Sequence, residues 1–124
     1  HHAEDTKGRV LIVEDEAINQ KVIAGILKSE GYDVEIAPDG IIALMKIAKG
    51  RFDVILSDIA MPNFDGYQML EYIREHEIDI PVIFLSGHTS PEDEAKGLRL
   101  GAADYIRKPV ERNLLLARLA KLLG

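Results

Sequence analysis

The chain has 124 residues, enough for one domain with one sizeable core and needing neither disulfide nor structural metal to fold. Hydrophobic residues at 47% and charged residues at 29%, with no cysteine, exclude disordered and low-complexity classes, a disulfide framework, a thiol nucleophile and a Cys-ligated metal. Fifteen Lys and Arg against twenty-one Asp and Glu leave a net charge of -6, which argues against direct nucleic-acid binding, and the apolar runs are too short to cross a bilayer. A soluble, cytoplasmic protein without a leader is expected.

His1 and His2 read as a tag remnant, and residues 1–8 are set outside the fold as tag or disordered N-terminus. The first continuous apolar run, Val10 to Val13, reads as a strand buried on both faces. A helical stripe of Val22, Ile23, Ile26 and Leu27 follows and ends at Gly31, a glycine placed to cap it. A weaker strand over Val34 to Ala37 precedes a second helix, whose Ile41, Leu44, Met45 and Ala48 share one face expected to be core.

Val54 to Leu56 forms the third strand. The loop shaped by Met61-Pro62 and Asp65-Gly66 opens a third helix with Met69, Leu70 and Ile73 inward. After the strand Val82 to Leu85, a fourth helix is punctuated by Ser90 at the N-cap, Pro91 at the first position, Asp93 at capping-box spacing and Gly101 at the stop. A short strand at Tyr105 to Ile106 and a helix from about Glu111, with Leu115, Leu119 and Leu122 inward, complete the chain. Five strands alternating with five helices make a three-layer, doubly wound α/β domain with right-handed crossovers.

Ligands of an open parallel sheet bind at the carboxyl ends of its strands. Glu14 and Asp15 follow the first strand, Asp58 ends the third, Ser86 ends the fourth, and Lys108-Pro109 follows the fifth. Three carboxylates, a hydroxyl and an ammonium are thereby brought to one edge. Such an acidic, all-oxygen set must raise a carboxylate pKa or hold a hard cation, with Mg²⁺ (or Mn²⁺) favoured. With that charge screened, Asp58 at the end of a central strand can attack a phosphoryl group, giving an aspartyl phosphate.

The motifs Ile12-Val13-Glu14-Asp15-Glu16, Leu56-Ser57-Asp58 through Asp65-Gly66, Phe84-Leu85-Ser86-Gly87-His88 and Gly101 through Lys108-Pro109 resemble, in order and spacing, those of response regulator receiver domains, over residues 9–124. The resemblance implies a flavodoxin-like sheet in order 2-1-3-4-5. It implies phosphorylation of Asp58 by a histidine kinase or histidine phosphotransfer protein, and a divalent ion on Asp15, Asp58 and the carbonyl of Ala60, with Glu14 acting through a metal-bound water. It also implies a phosphoryl contact from Lys108, and Ser86 and Tyr105 as reporters of phosphorylation. By the same resemblance, Ala60 and His88 fall at the two variable positions that tune dephosphorylation. Beyond its own phosphorylation and autodephosphorylation, the module is not expected to be an enzyme.

Each residue also has a plainer reading. The acidic pair could be a solvated turn, Ser86 a satisfied loop hydroxyl, and Tyr105 an edge-strand aromatic with a wet phenol. A flavodoxin-type cofactor protein is disfavoured because Glu14-Asp15-Glu16 would repel a phosphate. No glycines stand as Gly-x-Gly, and Ala60 occupies the place where a haloacid-dehalogenase-type phosphatase needs a second aspartate. The remaining alternative is a degenerate receiver acting only as an interaction scaffold. The expected output surface is the face of the fourth helix, fifth strand and fifth helix, with Arg99, Arg107 and Arg112, suited to a downstream protein, an output domain or a homodimer. The chain end at Gly124 suggests either a single-domain regulator or a fragment of a hybrid histidine kinase or larger regulator.

Overall fold

The structure, a computed structural model, describes residues 6–87 and 90–124. The elements run β1 (Arg9–Val13), α1 (Ala17–Ser29), β2 (Asp33–Ala37), α2 (Gly40–Lys49), β3 (Val54–Asp58), α3 (Gly66–Glu75), β4 (Val82–Ser86), α4 (Pro91–Arg99), β5 (Asp104–Arg107) and α5 (Arg112–Leu123). All strand pairs are parallel, in order β2-β1-β3-β4-β5. The tag remnant read at His1 and His2 lies outside the described residues. Lys7, set outside the fold on sequence grounds, is part of it, its N–H donating to Gly31 O at 3.1 Å.

The continuous apolar runs divide their side chains between two cores. In β1, Val10 and Ile12 join Ile23, Leu27, Leu56, Leu85, Leu115 and Leu119 on the α1 and α5 side. Leu11 and Val13 turn to the opposite layer with Ile55, Met69, Leu70, Ile73 and Phe84. Burial on both faces explains why the strands show no polar alternation.

Helix ends follow the local chemistry. Gly31 (φ +93°) and Gly101 (φ +103°) sit just past α1 and α4. In each case a backbone N–H reaches back to complete a Schellman motif: Tyr32 N to Leu27 O and Ala102 N to Gly97 O. Ser90 accepts the Asp93 N–H at α4, and Asp65 forms a reciprocal capping box with Gln68 at α3.

The α2 expectation is corrected. Ile41 and Met45 are each 53% exposed, Ala48 is also exposed, and the inward face is Gly40, Ala43 and Ile47 with Leu44 half-buried. The helix is apolar on more than one face, so periodicity admits two stripes. Asp39 caps at Ile42 N, and Gly40 packs so close to Phe64 that a Cβ there would lie 2.6 Å from its ring. Small residues therefore face the sheet, and two large ones face out. Val22 on α1 and Leu122 on α5, read as inward, are likewise exposed at the margins of their stripes.

Candidate functional site

The carboxyl edge of the sheet gathers its groups through strand register. Val13 pairs with Ser57 across β1 and β3, Asp58 with Leu85 across β3 and β4, and Ser86 with Arg107 across β4 and β5. The residues just beyond these pairs therefore converge. Carboxylate oxygens of Glu14, Asp15 and Asp58 all lie within 4.8 Å of one another. Lys108 inserts its Nζ between two of them, 2.9 Å from Glu14 Oε1 and 3.1 Å from Asp58 Oδ2.

Burial makes these contacts strong. Glu14 has no exposed surface and Asp58 is 8% exposed, while Asp15 stands at the solvent side. Asp58 Oδ1 accepts the Ile59 N–H at 2.9 Å, and Glu14 Oε2 accepts the Glu16 N–H at 3.1 Å. The Asp58 carboxyl is pushed up, first by burial and further by the Glu14 charge, against the opposing pull of Lys108 and the Ile59 N–H. Burial depresses the Lys108 ammonium, but its contacts with Glu14 and Asp58 outweigh that and raise it above the ordinary lysine value.

A cleft of about 500 Å³ opens over Asp58, lined by Glu16, Ile59, Ala60, Tyr67, Ser86, Gly87, Asp93 and Lys108. Glu14, Asp15, Asp58, Ala60, Ser86 and Lys108, read from sequence as site residues, thus stand at one edge. His88 lies outside the described residues. Ser57, given no role, is fully buried, and its hydroxyl donates to Asp58 O at 2.8 Å. The donor set suits a hard divalent ion, since three convergent carboxylates supply only oxygen and one side is solvent-facing, leaving positions for water.

Tyr105 stands on β5 with its phenol against α4. Its hydroxyl donates to Asp93 O at 3.1 Å, and its ring packs on Phe84 at 5.5 Å. Three residues had no role at the site in the sequence reading. Gln20 Nε2 donates to Glu14 O at 2.7 Å and so ties α1 to the acidic turn. Tyr67 and Asp93 line the cleft, and only the placement of α3 against α4 brings them there. Arg112, assigned to the output face, instead turns toward α1 and donates to Ser29 Oγ and Glu30 Oε2 at 3.0 and 2.8 Å.

The fold and the site together define a five-stranded flavodoxin-like α/β domain with an acid trio and a lysine at its carboxyl edge. The family model described as "Response regulator receiver domain" matches residues 10–120. The chain is 41% identical over 111 residues to the transcriptional regulatory protein DltR of Streptococcus agalactiae, covering 90% of this chain and 50% of that protein. It superposes on the Francisella response regulator 1452 receiver domain with a TM-score of 0.89 and 34% identity, covering 94% of this chain and 96% of that one. It also superposes on the receiver domain of the Pseudomonas aeruginosa sensor histidine kinase PA1611, which holds a magnesium ion in its active site cleft. There the TM-score is 0.85 and the identity 36%, over 94% and 98% of the two chains. The chain belongs to the response regulator receiver domain family, and it spans about half the length of the curated relatives it matches. None of its described helices is long and apolar enough to cross a membrane.

Proposed function

We propose that this domain accepts a phosphoryl group on Asp58 from the phosphohistidine of a histidine kinase or histidine phosphotransfer protein. The observation that carries the reading is Lys108 Nζ, held within 3.1 Å of both buried carboxylates at the mouth of the cleft. A carboxylate pushed up by burial is a more basic, better nucleophile than an exposed aspartate. An Asp58 oxygen attacks phosphorus, the phosphorus–nitrogen bond breaks, and its electron pair stays on the imidazole, which leaves uncharged because its other ring nitrogen carries a proton. The products are an acyl phosphate and a neutral histidine. Lys108, already beside the reacting oxygen, swings from a carboxylate to the phosphoryl oxygens and offsets their charge.

Asp15 and Asp58, with Glu14 behind them and the Ala60 carbonyl alongside, are the groups that would hold Mg²⁺, which when bound supplies charge neutralisation for the transferring group. Water attack on the acyl phosphate releases inorganic phosphate and restores Asp58. Ala60, in the cleft lining, and His88 are the two positions that set its rate.

The partner surface lies next to the acceptor. On α1, Ile18 is 77% and Val22 49% exposed, and Val22 shares a small recess with Lys108, Pro109 and Val110. That apolar rim suits a helical partner presenting its histidine to Asp58. Ser86, in the cleft wall, and Tyr105 carry the signal toward α4, β5 and α5, where Arg99 and Arg107 remain exposed for a downstream protein, an output domain or a second copy. DltR and TrcR are named transcriptional regulators and are about twice as long, so contact with DNA in a parent protein of that kind falls outside this acidic domain. The setting is the cytoplasm, where the phosphodonor is made.

The test is incubation with acetyl phosphate and Mg²⁺, followed by intact-mass measurement. One phosphoryl group per chain is expected in wild type and none in Asp58→Asn; equal labelling of the two proteins would overturn the assignment.

A further inference from the structure

The first turn of α4 is gripped by two tyrosines that reach it from different layers. Tyr67 Oη, from α3, donates to Asp93 O at 3.0 Å, and Tyr105 Oη, from β5, donates to the same oxygen at 3.1 Å. The two hydroxyls stand 3.5 Å apart. Phe84 braces both rings, edge-on to Tyr67 at 5.3 Å and tilted against Tyr105 at 5.5 Å. Lys96 covers the Tyr67 ring, its Nζ 4.9 Å from the centroid. Burial, then the Tyr67 hydroxyl, pushes the Tyr105 phenol well above its ordinary value.

Gly97 makes this grip possible. It stands one helical turn beyond Asp93, where a side chain would cover the Asp93 carbonyl. A Cβ at 97 would lie 1.7 Å from Tyr105 Oη and 2.8 Å from Cζ, so the phenol end of the ring would have to leave its place. A helix-interior glycine is otherwise unfavourable.

We propose that Gly97 is a notch that admits the Tyr105 hydroxyl to the Asp93 carbonyl, and that Tyr67 and Tyr105 together clasp α4 onto the wall of the Asp58 cleft in the unphosphorylated domain. This rests on the phosphoacceptor reading and deepens it. Tyr67 and Asp93 are both clasp members and cleft lining, so a charged phosphoryl group beside them acts directly on the first turn of α4. The clasp is the element that activation releases.

Hydrogen exchange and NMR on the unphosphorylated domain test it, using Gly97→Ala and Tyr67→Phe. Helix propensity alone would make α4 amides about fivefold better protected in Gly97→Ala. The clasp requires the reverse: exchange at residues 94–98 rising roughly tenfold as hydroxyl contacts are lost, with NOEs from the Tyr105 ring to α4 disappearing. Tyr67→Phe keeps the ring and removes one hydroxyl, so α4 exchange should rise severalfold while the Tyr105 NOEs persist. Better-protected α4 amides with intact NOEs in Gly97→Ala, or unchanged exchange in Tyr67→Phe, would overturn the proposal. Failure of wild type to take up beryllofluoride would instead count against the phosphoacceptor reading and leave this comparison standing.

Discussion

Replacing Lys108 by Met removes from the acid cluster the cation paired with Glu14 and Asp58 while keeping most of the aliphatic stem. Glu14, with no exposed surface, then loses its ion-pair partner, and Asp58 loses the counterion that moderates its raised carboxyl. Breaking a buried ion pair by deleting one partner costs about 3–5 kcal/mol. Lys108 retains 19% side-chain exposure and Asp58 12%, so water recovers part of the loss and about 2–3 kcal/mol remains. An unfolding entropy of about 2.1 cal/mol/K per residue over 124 residues converts that to a fall in Tm of roughly 8–12 °C. Thermal unfolding followed by far-ultraviolet circular dichroism measures it. Millimolar Mg²⁺ should restore more Tm in Lys108→Met than it adds to wild type, because a divalent ion replaces the missing charge. Adding Glu14→Gln should also recover part of the loss. A Tm within about 1 °C of wild type, with no added response to Mg²⁺, would refute the picture of Lys108 as the charge that holds this edge together.

Asp58→Asn should raise Tm at pH 7, because burial raises the carboxyl and makes its charged form a cost to the fold. A raised folded-state value means that the stability difference is present when Asp58 is ionised and closes as pH falls and wild type protonates, so melting curves of the two proteins should converge toward pH 4. Asp15→Asn should abolish Mg²⁺ binding by calorimetry, with little change in Tm since Asp15 is exposed. Ile18→Asp should slow phosphotransfer from a histidine phosphotransfer partner at least tenfold and leave labelling by acetyl phosphate unchanged, because it alters the docking face and not the cleft. His88→Ala should change the decay rate of the acyl phosphate more than the extent of its formation, measured by intact mass after removal of the donor.

What the sequence made legible was what local chemistry decides. Continuous apolar runs identified the strands, and Gly31, Ser90 and Gly101 marked helix ends correctly, because capping depends on only a few neighbouring residues. The acid trio and Lys108 were legible because a parallel sheet sends each strand's carboxyl end to the same edge, whatever its helices do. Rotation of α2 was not, since an apolar helix offers more than one stripe and the choice fell to Gly40 against Phe64. The Tyr67–Tyr105–Asp93 cluster was hidden for a related reason. It joins α3, β5 and α4 across a helix interface, and its only trace in the sequence is a glycine inside a helix, which looks like a weak point until Tyr105 is seen resting against it. Arg112 was misassigned because a long side chain at the start of a helix can reach either neighbouring layer.

Chemical mapping of the acceptor addresses the central claim most directly. Borohydride reduces an acyl phosphate of aspartate to homoserine, so the domain phosphorylated in Mg²⁺ and then reduced should carry homoserine at position 58 alone when its peptides are sequenced by mass spectrometry. Homoserine at position 15, or phosphate retained on a residue that borohydride leaves untouched, would contradict the account.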